Sequence, residues 1–128
     1  MTCELLPYVY FVKWNTKVIG YLTGCPSTKD FISKKSSPEY KSFMDLLDKF
    51  PAHLHINLTS HARGKGIGTL LINKFCEDLK INLITGAHVI TALSSRNFSF
   101  YEKNDFINST ISKCNNYLFL GRKLDKIG

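Results

Sequence analysis

The stretch "HARGKGIGTLL", residues 61–71, decides how this chain reads. Gly64, Gly66 and Gly68 alternate with other residues, Arg63 and Lys65 sit among them, and an apolar run follows at once. Glycine loses more freedom on folding than any other residue, so three of them before a good helix former need a reason. Upstream, "AHLHINLT" alternates strictly, with Leu54, Ile56 and Leu58 on one face and His53, His55 and Asn57 on the other. That period predicts a strand with one polar face. Downstream, Ile67, Leu70, Leu71, Phe75 and Leu79 recur at helical spacing to about Lys80. A strand, a glycine loop and a helix together make an anion site. The first helical turn leaves its N–H groups unpaired, the peptide dipoles place about half a positive charge there, and glycines let a phosphate come close.

The rest of the chain supports one α/β (α+β) domain over residues 1–128. "YVYFVKWNTKVIGYLTG" reads as a hairpin turning at Asn15-Thr16. Residues 25–37 read as mostly loop. Ser37-Pro38-Glu39 is a helix start, with a hydroxyl cap, proline at the first position and an acid behind it, followed by the stripe Phe43, Leu46, Leu47 and Phe50. "HVITALS" (88–94) is a strand, "RNFSFYEKN" (96–104) a short helix, and "FINSTI" and "NYLFLGRKL" a closing strand pair. The expected order is β-β-α-β-α-β-α-β-β, with no repeat and no second domain.

Composition bounds the function. With 44% apolar and 21% charged residues, the chain falls outside the disordered and membrane-spanning classes. A net charge of +7 favours an anionic partner, but the cations are scattered, which argues against nucleic acid. Cys3, Cys25, Cys76 and Cys114 form no CxxC pair or Cys/His cluster, so no metal is expected. The early run "LLPYVYFV" is broken by Pro7 and lacks a basic leader. The expectation is therefore reduced thiols and a cytoplasmic location, with no membrane association.

Two common phosphate loops fail on residue identity. A Walker loop needs Ser or Thr after Gly64-Lys65, and Gly66 stands there; the dinucleotide fingerprint needs a glycine where Thr69 stands. A third fits: Arg63-Gly64-Lys65-Gly66-Ile67-Gly68 resembles the acetyl-CoA pyrophosphate loop, Arg/Gln-x-x-Gly-x-Gly/Ala, of the GNAT superfamily of N-acyltransferases. "SSRNFSFYEKNDF" (94–106) resembles that superfamily's Asn-x-x-Ala-x-x-Phe-Tyr-x-x-x-Gly-Phe segment. Phe100-Tyr101 and Phe106 match, whereas Ser94, Asn97 and Asp105 depart from it. More narrowly, "VIGYLTGCPSTKDF" and "FPAHLHINL" look like the GNAT-like domain of O-GlcNAc hydrolases and related stand-alone acetyltransferases. The resemblance implies a mixed, mostly antiparallel central sheet flanked by helices, with the usual N-terminal strand and helices shortened or missing. A homodimer is one way to complete the acceptor wall that those helices normally help to build.

The resemblance also implies site roles. Acetyl-CoA is the cosubstrate, its pantetheine arm pairing with the strand ending at Leu58 and Thr59. Its pyrophosphate rests on the N–H groups of Ala62, Arg63, Gly64, Lys65, Gly66, Ile67, Gly68 and Thr69. Tyr101 is the acid near the leaving sulfur, and Asn97 a further cofactor contact. A phenol near pKa 10 facing a thiol near 8.5 makes full proton transfer uphill by about 2 kcal/mol, so hydrogen-bond stabilisation of the thiolate comes first. No Asp or Glu lies between Ala52 and Arg63, which leaves His53 and His55 as base candidates. Their pKa near 6.5 is about four units below that of a lysine-like amine. Cys76 has no histidine near it in the pattern, so direct attack of the amine in a ternary complex is the simpler route. The acceptor is an amine on a small molecule or a protein lysine or N-terminus. Two other classes stay open: a catalytically idle acyl-CoA-binding or protein-interaction domain, and a small basic RNA-binding domain, which lacks any RNP signature.

Overall fold

The computed structural model describes residues 8–32, 43–92, 95, 97–111 and 117–124. Strands β1 (Tyr8–Trp14) and β2 (Lys17–Cys25) form the expected hairpin, with Asn15 at φ 58° in the turn, a left-handed conformation asparagine tolerates. A short helix α1 (Thr28–Ile32) and a 3-10 helix (Met44–Asp48) follow. Then come β3 (Ala52–Leu58), α2 (Ile67–Ile81), β4 (Gly86–Ala92), α3 (Phe98–Lys103), β5 (Ile107–Ile111) and β6 (Tyr117–Lys123). The six strands form one sheet in the order β1-β2-β3-β4-β6-β5. Every neighbouring pair is antiparallel except β3 and β4.

That parallel pair shapes the molecule. β3 is matched to β2 from Gly20↔Leu58 to Cys25↔His53, and β4 to β6 from Gly86↔Lys123 to Ala92↔Tyr117. Between β3 and β4 the register holds only at Ala52↔Ala87 and His53↔His88. Beyond His53 the two halves of the sheet diverge, and the β4-facing edge of residues 54–58 is left without a ladder partner among the described residues.

α2 covers one face. Leu71, Ile72, Phe75, Cys76 and Leu79 are buried there against Leu22, Leu54 and Val89. Tyr8 and Tyr10 meet the edge of Phe75 at ring separations of 5.6 and 6.3 Å, and the Tyr10 hydroxyl donates to Asp78 at 2.7 Å. Leu70, expected in the apolar stripe, is instead 63% exposed. At 100° per residue the buried positions occupy one arc of the helix, and Leu70 lies on its far side. The opposite sheet face is covered over β4 and β6 by Phe43, Leu47 and Phe50, which pack around Phe119.

Two further expectations are corrected. Residues 25–37, read as mostly loop, also hold a short helix. α1 begins at Thr28, whose N–H donates to Pro51 O at 2.7 Å and whose side chain is buried, so β3 anchors the helix. His53 is not on an open polar face but 6% exposed, because that α1 contact closes over the start of β3. Cys25 is disulfide-bonded, against the reading of all thiols as reduced; Cys76 is free and buried. The helix start at Ser37-Pro38-Glu39 lies outside the described residues.

Candidate active site

The turn after β3 is tied down before it reaches the glycines. Thr59 N–H donates to Ile19 O at 2.9 Å, and Ala62 N–H to Thr59 O at 3.0 Å. Both expected cosubstrate contacts therefore use their own N–H groups to hold the turn, and Ala62 is buried. Gly64 and Gly66 adopt φ of 76° and 79°, and a Cβ on either would meet nothing within 4 Å. Glycine is needed at these two positions for backbone conformation and leaves open space above it. Gly68 has a different task. A Cβ there would lie 2.7 Å from the Phe100 ring and 3.2 Å from Leu58, so the start of α2 packs directly on both.

α2 makes its first turn-to-turn hydrogen bond at Leu70 N–H to Gly66 O, 3.0 Å. Among the described residues no backbone carbonyl accepts from the N–H groups of residues 63–69. These residues lie at the start of a 15-residue helix, the positive end of its dipole.

Arg63, Gly64, Gly66, Gly68 and Thr69 border a cavity of about 840 Å³. Ile56, Asn57 and Leu58 of the splayed strand form one wall; Arg63, Gly64, Gly66, Gly68 and Thr69 form the end; Ser95, Asn97, Phe100 and Tyr101 form the other wall. Tyr101 is 9% exposed and held edge-on between Phe100 and Phe106 at ring separations of 5.4 and 5.9 Å. Burial pushes its phenol pKa upward, so it remains a neutral donor. No described residue hydrogen-bonds its hydroxyl, although the ring is clamped at the cavity wall. Lys65 and Ile67, expected at the phosphate, do not line the cavity: Lys65 is exposed and Ile67 packs against the core.

The histidines lie elsewhere. His53 Nδ1 is 2.6 Å from the buried Thr28 hydroxyl, and burial, then the nearby His55, lowers its pKa to about 4. His55 is exposed on the sheet face away from α2, its ring 5.8 Å from that of His53, and partial burial lowers its pKa too. His88 is fully buried, stacks on Phe119 at 4.7 Å, and donates from Nδ1 to Phe50 O at 2.6 Å. Burial lowers its pKa to about 3 despite that hydrogen bond. Neither His53 nor His55 reaches the cavity lining. Four lining residues, Ile56, Asn57, Ser95 and Phe100, had no site role in the sequence. Phe100 was legible as the neighbour of Tyr101 in its motif, and Ile56 and Asn57 as members of the Leu58 strand. Ser95, whose hydroxyl accepts from Asn97 N–H at 3.1 Å, carried no signal. Among the described residues no three His, Cys, Asp or Glu side chains are grouped to hold a metal, and no helix is long and apolar enough to cross a membrane.

A six-stranded, mostly antiparallel sheet opened at one parallel pair, with a glycine loop and helix at the opening, is the fold of the GNAT N-acetyltransferases. No family profile matches the sequence, and no curated protein matches it. Solved structures do. SsHAT superposes with a TM-score of 0.71 at 18% identity, 88% of this chain on 69% of that one. The PaiA N-acetyltransferase of Thermoplasma acidophilum, in complex with coenzyme A, gives 0.66 at 16% identity, 91% on 60%. An N-acetyltransferase from Staphylococcus aureus Mu50 gives 0.65 at 16% identity, 91% on 67%. The likeness at these identities is one of fold, and this chain spans about two-thirds of their lengths.

Proposed function

We propose that this chain is an N-acetyltransferase that moves an acetyl group from acetyl-CoA to an amine by direct attack. The observation that carries the reading is the cavity in the opened sheet, bordered at one end by Arg63, Gly64, Gly66, Gly68 and Thr69, whose N–H groups no described backbone carbonyl accepts, and on one wall by Tyr101. The residues present fit the cosubstrate. The N–H groups of residues 63–69 and the Arg63 guanidinium suit a pyrophosphate, and Lys65 adds exposed charge near it. The open backbone edge of residues 54–58, ending at Leu58, suits the amides of a pantetheine arm. The bound thioester supplies the acyl electrophile. Asn97 lies along the same arm on the facing wall.

Tyr101 donates its hydroxyl hydrogen to the sulfur as negative charge develops there, in a walled site where such a bond is strong. His55 is the proposed proton acceptor, acting through water from the acceptor side of β3. Its lowered pKa keeps it neutral near pH 7. His53 holds Thr28 and supports His55 instead of taking the proton itself. We place the reaction in the cytoplasm, where CoA thioesters are made. The Cys25 disulfide points the other way, and trapping free thiols in fresh lysate separates the two.

Calorimetric titration with acetyl-CoA, using dephospho-CoA and ATP for comparison, tests the reading. Micromolar affinity that survives moderate salt supports it, and absence of binding sinks it. Tight binding with no turnover across a broad amine panel would instead favour the idle binding domain.

A further inference from the structure

The sheet face away from α2 carries an exposed strip over β1, β2 and β3. Strand register sets it out. Phe11 stands opposite Tyr21, and Tyr21 opposite Asn57; one row over, Val9 stands opposite Thr23, and Thr23 opposite His55. Phe11 is 63% exposed, Val9 46% and Tyr21 38%, a density of apolar surface that soluble proteins seldom leave open without use. The strip is continuous with the cavity, because Asn57 belongs to both. Lys13, exposed, follows Phe11 by two residues on the same face of β1 and pairs with exposed Val18. β1, β2 and β3 contain no Asp or Glu.

We propose that this strip is the acceptor subsite and that it takes a peptide α-amine. The amine enters beside Asn57, an apolar first or second residue lies on Tyr21 and Phe11, and an acidic residue three or four places along meets Lys13. The spacing follows from the sheet. Strands about 4.8 Å apart put Phe11 about 10 Å from Asn57, and two residues along β1 add about 7 Å, so Lys13 lies roughly 12 Å away diagonally. At about 3.4 Å per extended residue that distance is reached by the third or fourth residue. The charge agrees: these strands offer no carboxylate to a lysine ammonium, while Lys13 offers a partner to an acid. The proton balance agrees as well. An α-amine near pKa 7.7–8.0 lies much closer to a histidine than a lysine-like amine near 10.4 does, although the burial that lowers the His55 pKa widens both gaps. The amine forms the amide bond, the carbon–sulfur bond breaks, and the amine proton leaves through water to His55. This proposal rests on the acetyl-transfer reading above.

The full chain, saturated with acetyl-CoA, is offered four probes: the amides of Phe-Ala-Gly-Glu-Gly, Gly-Ala-Gly-Glu-Gly and Phe-Ala-Gly-Arg-Gly, and Nα-acetyl-lysine amide. Product is read by mass spectrometry, and acetyl-CoA affinity is measured separately by calorimetry. The first peptide is expected to exceed the second and third in kcat/KM by about tenfold each, the scale on which an apolar pocket discriminates. Phe11→Thr erases the first preference and Lys13→Glu reverses the second, with acetyl-CoA affinity unchanged in both. Equal rates for all peptides, or a preference for the lysine amide, overturn the proposal while leaving acetyl transfer intact. So does a finding that Phe11→Thr converts a dimer to a monomer without altering selectivity, since a second copy then covers the strip. Loss of acetyl-CoA binding in the unaltered chain overturns both readings, and the calorimetry identifies that case.

Discussion

Tyr101 and Gly66 are the two residues on which the proposed chemistry turns. The Tyr101 ring is packed on both sides while its hydroxyl has no partner among the described residues, so removing the oxygen alone should leave the fold untouched. Tyr101→Phe is expected to keep the melting temperature and the acetyl-CoA affinity but to lower kcat by about 10²-fold, the usual worth of one positioned donor. Melting curves beside steady-state rates check both halves. Gly66 sits at φ 79° with open space above it, so Gly66→Ala meets no atom but strains the backbone by about 1–2 kcal/mol. Calorimetry should show weaker acetyl-CoA binding out of proportion to a small loss in denaturant midpoint, because the turn aims the N–H groups. The glycine triple was legible as the loop that leads into α2. That Gly68 serves close packing on Phe100, whereas Gly64 and Gly66 serve conformation, was not legible, because spacing alone carries no information about what lies above each Cα.

At the scale of elements, α2 separates an apolar residue from a core residue. Phe75 is fully buried under the β1–β2 hairpin, and Leu70 faces solvent. Phe75→Ala is expected to cost about 3–5 kcal/mol, and Leu70→Ala less than about 0.5 kcal/mol. Urea midpoints of the two variants check the contrast, and equal losses would mean that α2 is rotated about its axis. Helix limits and strand limits fell within a residue or two of their sequence positions for β3 and α2, where hydrophobic period and glycine punctuation agree. They slipped at α1, whose polar sequence has no periodic signal and which forms because Thr28 is anchored to Pro51 O and His53.

Across the whole molecule, the junction of β3, β4 and α1 holds two buried neutral histidines where the sheet opens. Both His53 and His88 have folded pKa values depressed below 6.5, to about 4 and about 3. Below pH 6.5 the unfolded chain therefore binds protons that the folded chain refuses. The stability these groups contribute is complete above about pH 6.5 and falls as the pH drops toward those folded values, by on the order of 3 kcal/mol for His53 alone. The urea midpoint should fall steeply between pH 6.5 and 4, and His53→Asn should flatten that slope. A midpoint independent of pH over that window would remove both histidines from the junction.

What the sequence determined by itself was local: the strand, glycine loop and helix around residues 52–81, the hairpin at Asn15, the order of the strands and the Phe100-Tyr101 motif. Each of these follows from short-range backbone preference and period, which neighbouring residues carry. The tertiary structure alone decided that β3 and β4 part after one pair of histidines, that His53 is sealed by Thr28 while His55 stays open, that Ser95 faces the cavity, and that Phe11 and Tyr21 stand uncovered beside it. The physical reason is that alternation along a strand tells which side chains share a face, but what packs on that face comes from elements distant in sequence.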